Sequence, residues 1–289
     1  MANTRELRRR IKSIKNTSQI TKAMQMVAAT KMRKAQSQAL GGRPYVENLA
    51  QALERLLPRV DTEAHPLLFG NGSEKKGVVL LSTDKGLVGA LNTNLLRSIL
   101  NAGLTSGNVV YYTVGRKGRS FAVNSGKDLI ADFENSDLVT FRQAVQLTRM
   151  ITESYLAGEL GEVYLIYPHF VSTLKQEAKK VKLLPVEIEN SSGVNVVHLP
   201  DGQRGEFLFE PDVDSLLDFI LIHHIQNIIY HALLETKASE HSARMMAMQN
   251  ATDNAKELVD DLLLTYNQTR QSVITTELLE ITTAQVVME

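Results

Sequence analysis

The sequence predicts an α/β protein in which two long helical ends pair with each other and a compact α/β part lies between them. Three observations support this prediction. Residues 4–39 carry apolar or small side chains at heptad spacing, residues 212–287 contain neither glycine nor proline, and strand-like and helix-like segments alternate in between. A chain of 289 residues is long enough for one large domain, or for a compact domain with an extension.

Composition excludes several classes of chemistry. The chain contains no cysteine, which rules out disulfides, thiolate catalysis and cysteine-ligated zinc. Met1–Lys22 is mostly polar and basic and so does not resemble a signal peptide. The longest strongly apolar run, Leu216–Ile222, is too short to span a membrane. We therefore expect a soluble intracellular chain without direct membrane insertion, which leaves docking on a membrane complex open.

The N-terminal arm is predicted to be helical over Thr4–Ala39. Its seam alternates steps of four and three residues, which is a heptad period. The seam positions are Leu7, Ile11, Ile14, Ser18, Thr21, Gln25, Ala28, Met32, Ala35 and Ala39. A helix of this length extends about 50 Å at 1.5 Å per residue. Gly41–Pro44 is expected to kink or end the helix, and Tyr45–Leu57 is helical again.

The middle of the chain alternates between strand and helix patterns, which favours a small parallel sheet layer. The predicted strands are Gly77–Thr83, Asn108–Val114, Glu162–Tyr167 and an edge strand at Gln176–Ile188. The predicted helices are Leu91–Ala102, Arg116–Asn124 and a helix that Asp137 caps and that runs to about Ala157.

The C-terminal segment is predicted to form one helix about 110 Å long, which is typical of a coiled coil. Its first part, Leu216–Leu234, is apolar on most sides and should pack on the α/β part. Its middle is small and polar, at Ala243, Ala247, Asn250 and Asn254. Its tip, Ile274–Met288, is apolar again, and an exposed apolar end needs something to enclose it.

Charge is distributed unevenly, although the formal net charge is zero. Residues 1–40 hold ten Lys or Arg and one acid, whereas residues 206–289 hold fourteen acids and four Lys or Arg. Opposite charge favours pairing of the two ends, although each exposed ion pair contributes only about 0–1 kcal/mol. We therefore divide the chain into an N-terminal arm (1–57), an α/β base (74–190) and a C-terminal helix (206–289).

Several segments carry alternative functional hypotheses. The basic stretch Arg5–Lys15 fits a nucleic-acid binder or a dimerising adaptor, although no aromatic residue precedes Tyr45 and an acidic partner exists in the same chain. The turn at Asp84–Gly89 faintly resembles a phosphate loop but lacks both glycine-rich signatures, so a small enzyme built around Asp84–Asn92 is a weaker hypothesis. Gly115–Arg119 fits an anion site or an exposed turn.

Histidines and methionines also cluster. His223, His224 and His231 lie on one helical segment, but no pair has i, i+4 spacing and no acid completes a metal site, so buried, hydrogen-bonded histidines are expected. Six of the nine methionines fall in Met24–Met32 and Met245–Met248. They fit gaps between two helices, or a surface that must adapt to a changing neighbour. We predict no catalytic, cofactor or metal site.

Three motifs resemble the gamma-subunit family of the F-type ATP synthase. Ile20–Ala29 (ITKAMQMVAA) resembles its N-terminal hallmark, Ser82–Asn92 (STDKGLVGALN) its central one, and Ala238–Met248 (ASEHSARMMAM) its C-terminal one, which Ala251–Ala255 and Thr265–Glu280 continue. The resemblance covers nearly the whole chain and departs at Val88, where many members have cysteine, and at Ala90, commonly glycine. The cysteine-bearing insertion of chloroplast members and a mitochondrial presequence are both absent, which favours a bacterial-type member.

The resemblance implies a long antiparallel, left-handed coiled coil of the N- and C-terminal helices plus a Rossmann-like α/β domain. It implies a central rotor stalk, itself non-catalytic, that turns inside a hexamer of alpha and beta subunits and couples proton flow to ATP synthesis or hydrolysis. The implied partners are those subunits, the epsilon subunit and the membrane c-ring, with no nucleic acid and no cofactor. The implied location is peripheral, on the cytoplasmic side of a bacterial plasma membrane.

The resemblance also assigns partner contacts. Met24 and Arg244 would face the moving loop of a catalytic beta subunit, and the cations of the first helix would face the surrounding ring. The apolar C-terminal tip would be enclosed, and the segment Phe207–Pro211 would lie near the c-ring. The residues implied in these contacts are Met24, Lys31, Arg33, Lys34, Arg244, Leu278, Leu279, Val286, Val287, Phe207 and Glu210.

Overall fold

A computed structural model describes residues 4–56, 65–105, 107–186 and 213–288. In chain order the elements are α1 (Thr4–Leu56), β1 (Lys76–Leu81), α2 (Leu91–Asn101), β2 (Val109–Val114), α3 (Arg116–Asn124), β3 (Asp128–Phe133), α4 (Phe141–Leu156), β4 (Glu162–Phe170), β5 (Gln176–Leu184) and α5 (Val213–Met288). The chain forms two compact units. The sheet unit is residues 30–243, and the helix-pair unit joins residues 1–29 with residues 244–289.

The sheet has five strands in the order β3-β2-β1-β4-β5. Its first four strands run parallel, and β5 pairs with β4 in the antiparallel direction. The central strands β1 and β2 are almost wholly buried, which suits parallel strands that are covered on both faces. The expected parallel layer and the expected edge strand are therefore confirmed, whereas the antiparallel direction of β5 was not predicted.

Two apolar clusters cover the two faces of the sheet. One lies between the sheet, α4 and the first part of α5, where Leu217, Leu221, Ile225 and Ile229 are fully buried. The other joins the sheet to α2 and α3 through residues such as Leu95 and Ile99. The prediction that the start of α5 packs on the α/β part is confirmed. A helix segment that is apolar on most sides is stabilised most when it is buried on most sides.

In the helix-pair unit, the two ends of the chain run antiparallel along the predicted seam. The Thr21 and Thr252 hydroxyls are 2.7 Å apart, Gln25 donates to Gln249, and Arg8 donates to Tyr266. On the first helix Leu7, Ile11, Thr21 and Ala28 are buried, as the heptad spacing predicts. On α5 the buried seam of this unit lies beside the small and polar positions noted in the sequence. The buried positions are Met248, Thr252, Ala255 and Val259, whereas Asn250 and Asn254 are exposed.

Beyond the paired region the C-terminal end of α5 is exposed. Every described side chain from residue 271 to residue 283 is exposed to solvent, including Leu278 and Leu279 at 58% and 61%. The antiparallel register of Arg8 with Tyr266 places this stretch past the N-terminal end of α1. The sequence predicts that Thr269–Glu289 extends past the N-terminus unpaired, and the structure agrees over the described side chains 271–283.

The expectation that the first helix ends or kinks at Gly41–Pro44 is wrong about its end, because α1 continues through these residues to Leu56. A β-carbon at Gly42 would lie 2.7 Å from the His231 ring, so glycine there permits close packing of α1 on α5. Ala35 is buried nearby on the same helix. Tertiary packing outweighs local helix propensity at this point.

Two further local expectations are wrong. The helix assigned to an Asp137 cap begins at Phe141 after Thr140, and Asp137 instead forms a 2.7 Å ion pair with Lys31 of α1. Strand β3 (Asp128–Phe133) was not predicted, since it is a half-exposed edge strand with acids at two positions. The three-part division into arm, base and C-terminal helix stays a prediction.

Candidate functional site

Open α/β sheets bind ligands at the carboxyl ends of their parallel strands, often with an anion at a helix N-terminus. Here the segment after β1 contacts the first turn of α3. Asp84 accepts a hydrogen bond from the Arg116 backbone N–H at 2.9 Å, and the Thr83 carbonyl accepts one from the Lys117 N–H at 3.1 Å. The chain's own oxygen atoms therefore bind the amide groups that an anion would use.

Ser82 completes this junction from a fully buried position. Its hydroxyl lies 3.1 and 3.0 Å from the carbonyl oxygens of Val114 and Gly115, and it accepts a hydrogen bond from the Gly118 N–H at 2.7 Å. Gly115 has a φ of +97°, and a β-carbon there would lie 2.4 Å from the Ser82 carbonyl oxygen. Asp84–Gly89 and Gly115–Arg119 therefore connect the ends of β1 and β2. The second segment is not the expected exposed turn, since Arg116 begins α3 and Gly115 and Gly118 are buried.

Replacing Ser82 with alanine is expected to lower the free energy of unfolding by about 1–3 kcal/mol, because the buried Gly118 N–H loses its acceptor. Urea unfolding followed by circular dichroism measures this loss. Ser120→Ala, at an exposed position of α3, is the matched control and should change stability by about 0.5 kcal/mol at most. Equal unfolding midpoints for the two variants would contradict the assigned role of Ser82.

The histidines of α5 have separate surroundings. His223 pairs with Tyr45 and Gln226, whereas His224 is buried, and its Nδ1 has no hydrogen-bond partner among the described residues. Within the described ranges no group of three or more His, Asp or Glu side chains could hold a metal ion. The expectation of hydrogen-bonded histidines thus holds for His223 and is wrong for Nδ1 of His224. Burial lowers the pKa of His224 from 6.5 to about 4.

His224 should make stability depend on pH. Its folded-state pKa is lower than its unfolded-state pKa, so the stabilisation is fully present above about pH 6.5 and is lost as pH falls towards 4. By pH 5 the loss should reach about 2 kcal/mol. Denaturant titrations of the wild type and of His224→Leu at pH 7 and pH 5 measure it. If the unfolding free energy fell by the same amount from pH 7 to pH 5 in both proteins, this account would be wrong.

Cationic side chains of α1 border a cavity of about 250 Å³ in the sheet unit. Lys31 and Lys34 line it on one side, and Asp137, Lys237 and His241 line it elsewhere. The hydrogen bond from Lys31 holds the pKa of the exposed Asp137 carboxyl below its ordinary value. Lys31 is paired with Asp137 and Lys237 with Glu240, so the exposed Lys34 adds a positive charge beside the cavity, which favours an acidic group there.

The helix-pair unit exposes apolar side chains beside its seam. Ile20, Met26 and Val27 are 61%, 58% and 55% exposed, and Met24 is half-buried. Leu278 and Leu279 form a second exposed apolar group at the tip, separate along α5 from the first. Surfaces of this kind mark contact with another molecule.

Comparison with known proteins identifies the family. A sequence model described as ATP synthase matches residues 3–286. The ATP synthase gamma chain of Opitutus terrae is 43% identical over 99% of this chain and 98% of its own length. That of Methylacidiphilum infernorum is 45% identical over the full length of both chains. The chain belongs to the ATP synthase gamma chain family. It is therefore a central-stalk subunit of the ATP synthase.

Solved structures agree with this gamma-chain fold. A chain of the Tetrahymena thermophila mitochondrial ATP synthase central stalk and c-ring aligns with a TM-score of 0.60 and 25% identity, over 80% of this chain and 99% of that one. A chain of the Euglena gracilis mitochondrial ATP synthase aligns with a TM-score of 0.67 and 20% identity, over 99% and 94%. No helix in the described ranges is long and apolar enough to cross a membrane.

The structure places the residues implied in partner contacts in several regions. Met24, Arg244, Leu278 and Leu279 belong to the helix-pair unit. Lys31, Arg33 and Lys34 belong to the sheet unit; all three are exposed, and Lys31 and Lys34 share the cavity described above. Phe207 and Glu210 lie outside the described residues, as do the side chains of Val286 and Val287. Their contacts stay predictions.

Sequence reasoning missed a set of buried polar side chains in the gamma-chain fold. Lys237 and Glu240 form an ion pair on α5 and reach Asn135, which follows β3. The sequence does show Lys237 and Glu240 three residues apart in a helical segment of mostly apolar or small residues, and this spacing could have indicated an ion pair. Only the fold brings Asn135, about a hundred residues away, to the same place.

Proposed function

We propose that this chain is the rotating shaft of a bacterial-type ATP synthase, coupling proton flow to ATP synthesis or hydrolysis without catalysing a reaction itself. The observation that carries the proposal is the antiparallel helix pair, found in a chain that belongs to the gamma chain family. The pair buries one seam and exposes an apolar stripe beside it. Such a rod presents chemically different faces in different directions.

Different faces are what coupling requires. A two-helix rod has no threefold symmetry, so three catalytic subunits around it contact different faces and adopt different conformations. Rotation exchanges these contacts, and the nucleotide affinity of each site then cycles. The shaft acts only through the difference in contact free energy between conformations, since a ligand that contacts all states equally shifts none of them.

The partners follow from the family. Alpha and beta subunits surround the helix pair, and the epsilon subunit and the c-ring bind the base. Met24 and Arg244 face a catalytic beta subunit, and Lys31, Arg33 and Lys34 face acidic groups of the ring. The apolar tip at Leu278 and Leu279 is enclosed by the hexamer, together with Val286 and Val287. Phe207 and Glu210 lie near the c-ring, on the cytoplasmic side of the plasma membrane.

The load on the shaft explains why two helices are paired. One proton that crosses 100 mV carries about 2.3 kcal/mol, so several protons per step deliver on the order of 10 kcal/mol. That work is comparable with the roughly 5–15 kcal/mol that stabilises an isolated domain. A single unsupported helix would unfold locally under it, whereas a partner helix buries its apolar seam.

Reconstitution with purified alpha and beta subunits tests the proposal. The chain should co-purify with them, and ATP hydrolysis should require all three and be undetectable for the chain alone. Removing residues 244–289 keeps the α5 residues of the sheet core and should abolish both co-purification and ATP turnover, because the helix pair loses one of its two helices. Useful ATP turnover by the isolated chain, or failure to bind alpha and beta subunits, would contradict the proposal.

A further inference from the structure

The ligand crevice of this sheet is occupied by α5. In open α/β sheets the ligand crevice lies between two neighbouring strands whose following loops leave towards opposite faces of the sheet. Here the strand order reverses between β1 and β4, which places the crevice there. At the end of β4, Ser239 of α5 donates to the Pro168 carbonyl at 2.9 Å, and Ser242 donates to the Thr173 carbonyl at 2.8 Å. Both serines are fully buried. A helix of the same chain thus lies where a ligand would bind.

The β1 side of the crevice is joined to α5 as well. The Asn135 amide donates to the carbonyl oxygen of Ser82, the first residue after β1, at 2.6 Å and to the Glu240 carboxylate at 3.4 Å. Ala243 packs against Val88 and Leu91, which follow β1. Residues 237–243 of α5 therefore contact the ends of both β1 and β4, through hydrogen bonds and through apolar packing.

An ion pair fixes these contacts from within α5. Lys237 Nζ donates to the Asn135 carbonyl at 2.8 Å and lies 3.3 Å from the Glu240 carboxylate, and their side chains are only 4% and 5% exposed. Buried ion pairs lose much of their attraction to desolvation, and apolar residues of similar volume often stabilise a protein as well or better. Net stability is therefore a poor explanation for this pair. Its directional bonds do fix the position of the helix.

We propose that Lys237, Glu240 and Asn135 form a torque-bearing tether that fixes α5 to the sheet. The inference rests on the proposed shaft function, because only a loaded helix needs such a tether. Apolar contacts are non-directional and resist sliding or twisting weakly, whereas hydrogen bonds of fixed geometry resist both. The tether precedes Arg244, where the helix-pair unit begins, so it lies where α5 leaves the sheet unit. These residues position the shaft and are not catalytic.

The double variant Lys237→Met, Glu240→Gln tests the tether in the complete ATP synthase reconstituted in lipid vesicles. Both replacements keep the side-chain volume and remove the charges. ATP hydrolysis should stay within about twofold of wild type, since the helix pair is unchanged. Proton pumping per ATP against an imposed pH gradient should fall by roughly threefold or more, because a slipping shaft hydrolyses ATP without moving the ring. A purely structural role would lower both together.

The matched control is Arg149→Met, Glu153→Gln, which removes an exposed ion pair from α4 and should pump like wild type. If the double variant does not fold, Asn135→Ala carries the test, since it removes the amide bonds to Ser82 and Glu240 and leaves the ion pair in place. If the variant that folds pumps as many protons per ATP as the wild type, the proposed role of the tether is wrong. A wild-type complex that hydrolyses ATP and pumps no protons would instead overturn the proposed shaft function.

Discussion

Replacing Gly115 with alanine is expected to lower the free energy of unfolding of the sheet unit by about 3–6 kcal/mol. Two effects add at this position. The φ of +97° is a conformation that side chains rarely adopt, and the new β-carbon would meet the Ser82 carbonyl oxygen at 2.4 Å. Since the oxygen belongs to buried backbone after β1, it cannot move aside as a flexible side chain would. A loss of this size approaches the whole stability of a typical domain.

Gly126→Ala separates the two effects. Gly126 has a φ of +63°, but no atom lies within 4 Å of the position of its β-carbon. This variant should lose only about 1–2 kcal/mol, which is the cost of the backbone conformation. Thermal unfolding of the two variants and the wild type measures both losses. Similar losses at Gly115 and Gly126 would show that the contact with Ser82 is not the constraint that we describe.

The second large effect is expected at the exposed apolar stripe of the helix pair. Ile20→Asp combined with Val27→Asp should weaken binding to the alpha and beta subunits by about 100-fold, because each buried apolar side chain contributes about 1.5 kcal/mol or more. The two residues are seven apart and therefore lie on one face of α1. The isolated variant should unfold at nearly the wild-type temperature, since both positions are more than half exposed.

Exposed apolar residues of the sheet unit provide the control. Ile130→Asp combined with Leu156→Asp introduces the same charges at positions that are 48% and 56% exposed. Binding to alpha and beta subunits should stay within about twofold of wild type, because these residues lie outside the helix pair. Titration of labelled chain against the subunits gives both affinities. An equal loss in the two double variants would indicate a general effect of charge and would contradict enclosure of the stripe.

Periodic patterns made much of this fold predictable. The heptad spacing of Leu7, Ile11, Thr21 and Ala28 is a property of the helix itself, so the sequence was sufficient to find the buried seam. Strands β1 and β2 were equally clear, since strands buried on both faces need an unbroken apolar run. The long α5 followed from the absence of any residue that breaks a helix.

Other features depend on contacts between distant segments. The continuation of α1 through Gly42 depends on His231, and the position of Asp137 depends on Lys31, in each case more than a hundred residues away. Strand β3 has no apolar run because one edge of the sheet is open. The tether was unpredictable for the same reason, since the bonds of Lys237 and Glu240 to the distant Asn135 exist only in the folded chain.

Direct observation of rotation tests the central claim. The chain has no cysteine, so Val123→Cys, at a 57% exposed position of α3, provides one attachment point for a visible particle. With the hexamer fixed to a surface through its beta subunits, ATP should drive the particle in one direction, with a pause for each catalytic subunit that it passes. Complexes that hydrolyse ATP while the particle keeps a fixed angle would contradict the account.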